Sequence, residues 1–156
     1  MKKNLLHSGL FILLFSLSIS LNAQKSADYY FSTVVENSFE ETLELTKAAL
    51  KDHGLSIITE IEMYKRLKEK LDNGDMKRCT ILGACNPAYA YETLQVEENI
   101  GLFLPCKVPV KEISKNETEV VMVNPSELMK MLGNDALNDV AEEVTKKFKR
   151  AMNEIE

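Results

Sequence analysis

Two cysteines in different settings are the residues of this chain best suited to do chemistry. Cys85 stands in the segment LGACNP, and Cys106 stands further along in the segment LPCKV. A thiolate attacks electrophiles and binds soft metal ions, whereas a buried neutral thiol is inert. What each cysteine can do therefore depends on the element that positions it.

Cys85 directly precedes the predicted start of a helix. Asn86 is a favourable N-cap residue, and Pro87 suits the first helical position because its missing amide hydrogen would be unpaired there anyway. The unpaired amides and positive partial charge of a helix N-terminus lower the pKa of a nearby thiol. Gly83 and Ala84 keep the backbone beside it approachable. Two interpretations stay open: a reactive or ligating thiol, and a buried thiol in a tight strand-to-helix turn.

Cys106 lies in a segment that predicts a long strand, Ile100 to Ile113. Alternation of side chains places it on one face with aliphatic neighbours, as expected for a sheet face that packs on the core. A free cysteine packs well there as a small hydrophobic residue. On pattern alone, packing is the favoured interpretation. The residues that share its face are Leu102, Leu104, Val108 and Val110.

Few other side chains could complete a reactive site. Tyr89 and Tyr91 flank the cysteine turn and could line a pocket, although such tyrosines more often lie half-buried at a helix edge. His53 is the single histidine beyond the first 23 residues, and it stands just before the glycine that ends a predicted helix. A catalytic triad and a two-histidine metal site are therefore excluded. A site of two cysteines and one histidine stays formally open, although the spacing matches no zinc pattern.

The first 23 residues have the pattern of a secretory signal peptide. Lys2 and Lys3 form a basic start, an apolar run from Gly9 to Leu21 follows, and Ala23 suits a signal peptidase. The run is shorter than a membrane span, and an uncleaved N-terminal anchor is the alternative. Cleavage after Ala23 predicts an exported protein, periplasmic or secreted, with no stable membrane insertion afterwards.

The remaining residues, 24–156, suit a single domain. Loss of Lys2 and Lys3 changes the formal charge from −5 to −7. Such acidity argues against nucleic acid or an anionic membrane surface as a partner. In an oxidising compartment one disulfide could form among Cys79, Cys85 and Cys106, leaving one thiol over, and the sequence does not choose the pair.

The elements that must position these cysteines alternate between strand and helix before a hairpin and two further helices. This order favours an α+β fold, a two-layer sandwich with a mostly antiparallel sheet of about five strands backed by helices. Pro105 and Pro109 cannot donate ladder hydrogen bonds, so part of the fourth strand should be an edge or carry a bulge. Predicted strands are 28–35, 55–61, 77–84, 100–113 and 117–123, and predicted helices are 38–53, 63–71, 86–95, 126–132 and an amphipathic one at about 135–153.

The segment ILGACNPAYAYETLQVEENIGLFLPCKVPV, residues 81–110, resembles the domain of unknown function 302 family. The resemblance rests on G-A-C-N-P, I-G-L and L-P-C and spans about residues 30–132. It implies a compact α+β fold with a curved sheet, often assembled as a homodimer, and a single site that contains both Cys85 and Cys106. That family has no firmly assigned chemistry. Lys107 departs from its usual small polar residue and puts a positive charge near the site, while Cys79 is an additional cysteine.

Three functions stay open, and of the protein classes they represent, an enzyme is less favoured than a binding protein. The first is a binding module in which Cys85 and Cys106 hold a metal ion, a thiol-reactive ligand or a small cofactor. Thiolates would select Cu(I) or zinc, although no cofactor is firmly implied. The second is a thiol-based redox protein or enzyme, with Cys85 as nucleophile and Cys106 as resolving partner. The third is an interaction protein stapled by a disulfide. Candidate ligand or redox residues are Gly83, Cys85, Asn86, Tyr89, Cys106 and Lys107.

Overall fold

A computed structural model of the chain describes residues 25–71 and 76–156. The predicted signal peptide lies outside these residues. The strands are β1 (Lys25–Ala27), β2 (Tyr30–Val35), β3 (Ser56–Glu62), β4 (Cys79–Cys85), β5 (Cys106–Ser114) and β6 (Glu117–Val123). The helices are α1 (Phe39–Asp52), α2 (Met63–Leu71), α3 (Pro87–Val96), α4 (Pro125–Lys130) and α5 (Asn138–Ile155), with short 3-10 helices at Glu98–Leu102 and Asp135–Leu137.

The strands form one antiparallel sheet in the order β1-β2-β6-β5-β4-β3. The predicted α+β fold with helices backing a mostly antiparallel sheet is confirmed. A sixth strand is present because β1 pairs with β2 at one edge. The two strands that carry the cysteine motifs are neighbours. Their register sets Cys106 opposite Ala84, one residue before Cys85.

Local sequence signals account for the ends of α1. The Ser38 hydroxyl accepts a hydrogen bond from the Glu41 amide (3.3 Å), and the Glu41 carboxylate accepts one from the Ser38 amide (3.2 Å). This is the predicted capping box, which satisfies two otherwise free amides. At the other end Gly54 has φ 74°, a conformation that glycine adopts readily. The chain can therefore leave the helix directly into β3.

The main core lies between one face of the sheet and the pair of helices α1 and α5. Alternate residues of β4, β5 and β6 point into it, as the period of a strand requires. The apolar stripe of α5 lies opposite them, with Phe148 at its centre and fully buried. Fully buried residues from these elements include Leu50, Leu82, Val108, Val110, Val120 and Met122. No helix within the described residues is long and apolar enough to cross a membrane.

The predicted fourth strand is wrong in its first part. Residues Glu98–Leu102 form a 3-10 helix, and β5 begins only at Cys106. The Glu97 side chain caps this turn by accepting from the Asn99 amide (3.1 Å), so the backbone has local hydrogen bonds in place of a strand partner. Leu102 is consequently 82% exposed and does not share the core face with Cys106.

The prolines of this region lie where a strand tolerates them. Pro105 precedes β5, and Pro109 lies within it opposite Ile81 of β4. The register of β5 with β6 runs from Val110 onward and is irregular between Glu112 and Ser114. Of the two predicted alternatives, the register supports the edge: Pro109 lies in the part of β5 that pairs with β4 alone, and the irregularity between Glu112 and Ser114 is away from both prolines.

We expect truncation of Phe148 to Ala to lower the free energy of unfolding by about 3–5 kcal/mol, because a fully buried ring would leave a cavity between α5 and the sheet. Urea unfolding followed by circular dichroism measures this change. Lys149→Ala, one residue along on the exposed side of the helix, is the matched control and should change the value by less than about 0.5 kcal/mol. Equal effects of the two substitutions would contradict the assigned core.

Candidate functional site

Cys85 and Cys106 line the same small cavity, of about 20 Å³. Cys85 is the last residue of β4 and Cys106 the first of β5, so the antiparallel register brings them together at one end of the sheet. The cavity lies between this sheet end and helices α3, α4 and α5. Its lining is mainly apolar and includes Leu55, Ala84, Leu104, Met129, Val140 and Val144.

The environment of Cys85 does not produce the lowered pKa expected from the helix start. Burial instead raises the pKa of this half-buried thiol. The amides of Ala88 and Tyr89 at the helix start donate to the Asn86 carboxamide oxygen (3.0 Å and 3.2 Å). The Cys85 thiol has a weak contact of 3.7 Å to the Asn86 carbonyl oxygen, to which it donates. Cys85 is therefore a protonated thiol at neutral pH.

Asn86 is a predicted site residue, and both the oxygen and the nitrogen of its side chain form hydrogen bonds within the fold. While its oxygen caps α3, its amide nitrogen donates to the Gly54 carbonyl oxygen (2.9 Å). The start of α3 is thereby tied to the turn that follows α1. Asn86 borders the cavity, but its function is to orient the helix start and with it the Cys85 backbone.

Cys106 is both a core residue and a member of the cavity lining. It is 8% exposed and belongs to the main core together with Val108 and Val110, as alternation predicts. The pKa of its thiol is raised to about 11, mainly by burial and in smaller part by the nearby Cys85 thiol, while the Lys107 charge acts in the lowering direction. The two thiols therefore interact electrostatically, and neither is a ready thiolate near pH 7.

Gly83 and Pro105, one from each cysteine motif, pack directly on each other. A Cβ atom on Gly83 would lie 2.6 Å from Pro105 Cγ and would also collide with Thr59 Oγ1. Glycine is needed because the proline ring occupies the space of a side chain at this position. Gly83 thus serves the junction between β4 and the segment before β5, and it keeps the two thiols in register.

Lys107 lies beside Cys106 along the chain but on the opposite side of the strand, opposite Gly83 in the register. Its side chain is exposed, and its ammonium group donates to the Pro105 carbonyl oxygen (2.7 Å). The Lys107 charge acts on the Cys106 thiol by lowering its pKa. It lies outside the cavity that holds both cysteines.

The predicted tyrosines behave differently from each other. Tyr89 lines the cavity from the first turn of α3, and the Lys147 ammonium group lies 5.9 Å from the centre of its ring. Tyr91 is exposed and lies outside the lining. Cys79 is at the far end of β4, opposite Lys111, and is distant from the pair along the strand. All three cysteines are free thiols.

Met129 is the residue of this site that the sequence analysis missed. It lies in α4, is 5% exposed, and lines the cavity together with Cys85 and Cys106. Met129 and Cys106 also border a second cavity of about 140 Å³, whose rim includes Leu102 and Lys107. No spacing signal connects Met129 with the cysteine motifs, because α4 reaches the site only through the folding of the chain after β6.

The site has no cluster of hard or borderline ligands. In the parts of the chain that the structure describes, no group of three or more His, Cys, Asp and Glu side chains lies close enough to hold a metal ion. His53, instead, lies 2.9 Å from the Glu154 carboxylate. The soft ligand groups in the cavity lining are therefore two thiols and the thioether of a methionine.

Comparison with known proteins identifies a family and a solved structure. The model of the family described as "Domain of unknown function DUF302" matches residues 31–155, which include both cysteine motifs. The crystal structure of the uncharacterized conserved protein DUF302 from Bacillus stearothermophilus is similar, with 26% sequence identity and a TM-score of 0.76. That match covers 83% of this chain and 100% of the other. No curated protein matches the chain.

Gly83→Ala should lower the free energy of unfolding by about 1–3 kcal/mol, since the new methyl group would displace the Pro105 ring and Thr59. Chemical denaturation of the purified protein measures the effect. The matched control is Gly101→Ala, where an added methyl group meets nothing within 4 Å, and it should be neutral or stabilising by up to about 1 kcal/mol. If both variants were equally stable, the close approach of the two motifs would be wrong.

Alkaline pH should selectively remove the stability that depends on Cys106. The unfolded chain releases the thiol proton near pH 9, whereas the folded chain holds it to about pH 11. This contribution is complete below about pH 9 and is lost as pH rises through about 11, a total of about 2–3 kcal/mol. The difference in unfolding free energy between the wild type and Cys106→Ala should narrow by that amount. A constant difference would show that Cys106 ionises equally in both states.

Proposed function

The chain belongs to the DUF302 family, and on that premise we propose that it is a binding protein that holds one soft metal ion between Cys85 and Cys106. The observation that carries the proposal is the joint lining of one cavity by two thiols from different strands. Thiolates are the ligands that Cu(I) and zinc accept readily. The ion would be held at the junction of β4, β5 and α3.

The size of the cavity supports an ion over an organic ligand. A volume of about 20 Å³ accommodates roughly one water-sized sphere, whereas cofactor sites typically have several hundred Å³. A metal ion bound by two thiolates needs little further space because its ligands form the wall of the cavity. A thiol-reactive organic ligand or a small cofactor, which the sequence left open, fits this volume less well.

The acid–base properties of the thiols support binding over nucleophilic catalysis. Burial raises the pKa of both Cys85 and Cys106, so neither is a thiolate at neutral pH, as a nucleophile must be. A metal ion, in contrast, displaces the protons from its ligands when it binds. Cys106 is also too buried to meet a bulky substrate. The redox enzyme is therefore the weaker alternative.

A disulfide between the same residues would compete with the metal. Cys106 lies opposite Ala84, the residue beside Cys85, so oxidation of the pair would consume both ligands. The proposal accordingly concerns the reduced protein. Export of the chain, expected from its first 23 residues, and homodimer formation, expected from the family resemblance, are retained as part of the proposal, and neither is required for the ion to bind.

Titration of the reduced protein with Cu(I) and with Zn(II), each against a chromophoric chelator, tests the proposal. The wild type should bind one equivalent of at least one ion, and native mass spectrometry should give the matching increase in mass. Cys85→Ala and Cys106→Ala should each lower the affinity by more than about 100-fold, because a single thiolate remains. Circular dichroism would verify that each variant is folded.

Cys79→Ala is the matched control, because Cys79 lies at the other end of β4 and outside the cavity lining. Its affinity should equal that of the wild type. Absence of both ions from the reduced wild type, or equal losses in all three cysteine variants, would refute a site formed by Cys85 and Cys106.

A further inference from the structure

We infer that the preferred ion is Cu(I) and that the Met129 thioether is its third ligand. This inference rests on the proposed function, since it adds a ligand and a metal identity to the site of Cys85 and Cys106. The geometry that suggests it is the convergence of three sulfur-containing side chains, from β4, β5 and α4, on one cavity.

Met129 is held at the cavity by the packing of α4 on α5. Its buried neighbours are apolar residues of a second, smaller core cluster, including Ile100, Leu137 and Ala141. Methionine often fills gaps in cores of this kind. What distinguishes Met129 is its place: it borders the cavity of the two thiols and also the adjoining larger cavity, and Cys106 is the other residue common to both.

Two polar side chains of the lining, those of Asn86 and Thr93, are already hydrogen-bonded within the fold. Both ends of Asn86 are engaged, with two backbone amides and with the Gly54 carbonyl oxygen. The Thr93 hydroxyl donates to the carbonyl oxygens of Tyr89 (2.9 Å) and Ala90 (3.1 Å). A structural zinc site needs four nitrogen, oxygen or thiolate ligands in a tetrahedron, which this set does not supply. Thiolate and thioether ligands are those that select Cu(I).

Charge does not select Cu(I) over zinc, because two thiolates with Zn(II) would be neutral, but the charge of a Cu(I) centre is partly compensated at this site. Binding releases one proton from each thiol, so two thiolates and Cu(I) together carry one negative charge, and the thioether adds none. Lys107 is close enough for its positive charge to act on Cys106, and it offsets that charge. A net charge in an apolar cavity is unfavourable unless it is compensated. The offset is modest because the Lys107 ammonium group is in solvent.

The adjoining cavity of about 140 Å³ offers a route for the ion. Cys106 and Met129 border both spaces, and exposed Leu102 lies at the rim of the larger one. An ion that enters there meets Cys106 and Met129 first and reaches Cys85 next. Exchange between sulfur ligands then moves the ion into the smaller cavity without passage through the core.

Met129→Leu tests the inference, with Met131→Leu as its matched control. Both substitutions keep the side chain apolar and of similar volume, and Met131 is 75% exposed on the same segment. Titration of the reduced proteins with Cu(I) against a chromophoric chelator should give a 10- to 100-fold lower affinity for Met129→Leu. Met131→Leu should match the wild type. Zn(II) affinity should be unaffected by either change.

Copper X-ray absorption of selenomethionine-labelled protein gives a direct readout. The wild type and Met131→Leu should each have a selenium neighbour bonded to copper, and Met129→Leu should have none. The wild type could bind Cu(I) without a selenium neighbour, and Met129→Leu could leave the Cu(I) affinity unchanged. Those two results together would show that this inference is wrong and would leave the two-cysteine site standing. The inference is equally wrong if the wild type binds Zn(II) and not Cu(I). If the wild type binds neither ion, the proposed function itself fails.

Discussion

The contact between Pro105 and Gly83 is the constraint on which the site depends. The proline ring occupies the position where a side chain at residue 83 would project, and the Lys107 ammonium group bonds to the proline carbonyl oxygen. The start of β5 is thereby fixed against β4, with Cys106 opposite Ala84. A slip of one residue would move Cys106 to the other face of the sheet and separate the two thiols. A packing contact between two motifs thus determines a chemical arrangement.

From this constraint the properties of the thiols follow. Because Cys106 is held on the core face, side chains of α5 that build the core, Val140 and Val144, also line the cavity of the thiols. The same burial keeps the thiols protonated. An apolar, water-poor setting makes a free thiolate unfavourable and makes a metal–thiolate bond comparatively strong. The fold therefore disfavours nucleophilic chemistry at this point, which is consistent with the proposal that the two thiols hold a soft ion.

Those parts of the structure that depend on neighbours in the chain could be predicted from the sequence. The capping box at Ser38, the Asn86 cap and the glycine after α1 act within one helical turn, and the alternation of Cys106, Val108 and Val110 acts within one strand.

The 3-10 helix before β5 was missed because its apolar residues resemble those of a strand, while its stability comes from the Glu97 cap. Met129 was missed because it meets the cysteines only through the path of the chain after β6. The direction of the Cys85 pKa shift was misjudged because burial raises this pKa, and the extent of burial at the turn depends on elements distant in the chain.

The strongest reason to seek a function at this site is that the fold accounts for most residues of the G-A-C-N-P motif but not for its cysteine. Gly83 is required by the approach of Pro105, and Ala84 is a small buried residue opposite Cys106. Asn86 and Pro87 are accounted for by the start of α3. Cys85 is different, since its thiol donates one weak hydrogen bond, at 3.7 Å, and the residue does not belong to the main core. Cys106 could be replaced by another small apolar residue if packing were its sole role. The fold therefore requires every residue of G-A-C-N-P except the cysteine, and it directs that cysteine to the cavity that also holds Cys106. The proposed ligation would account for Cys85, which packing leaves unexplained, and for a cysteine in place of another small apolar residue at position 106.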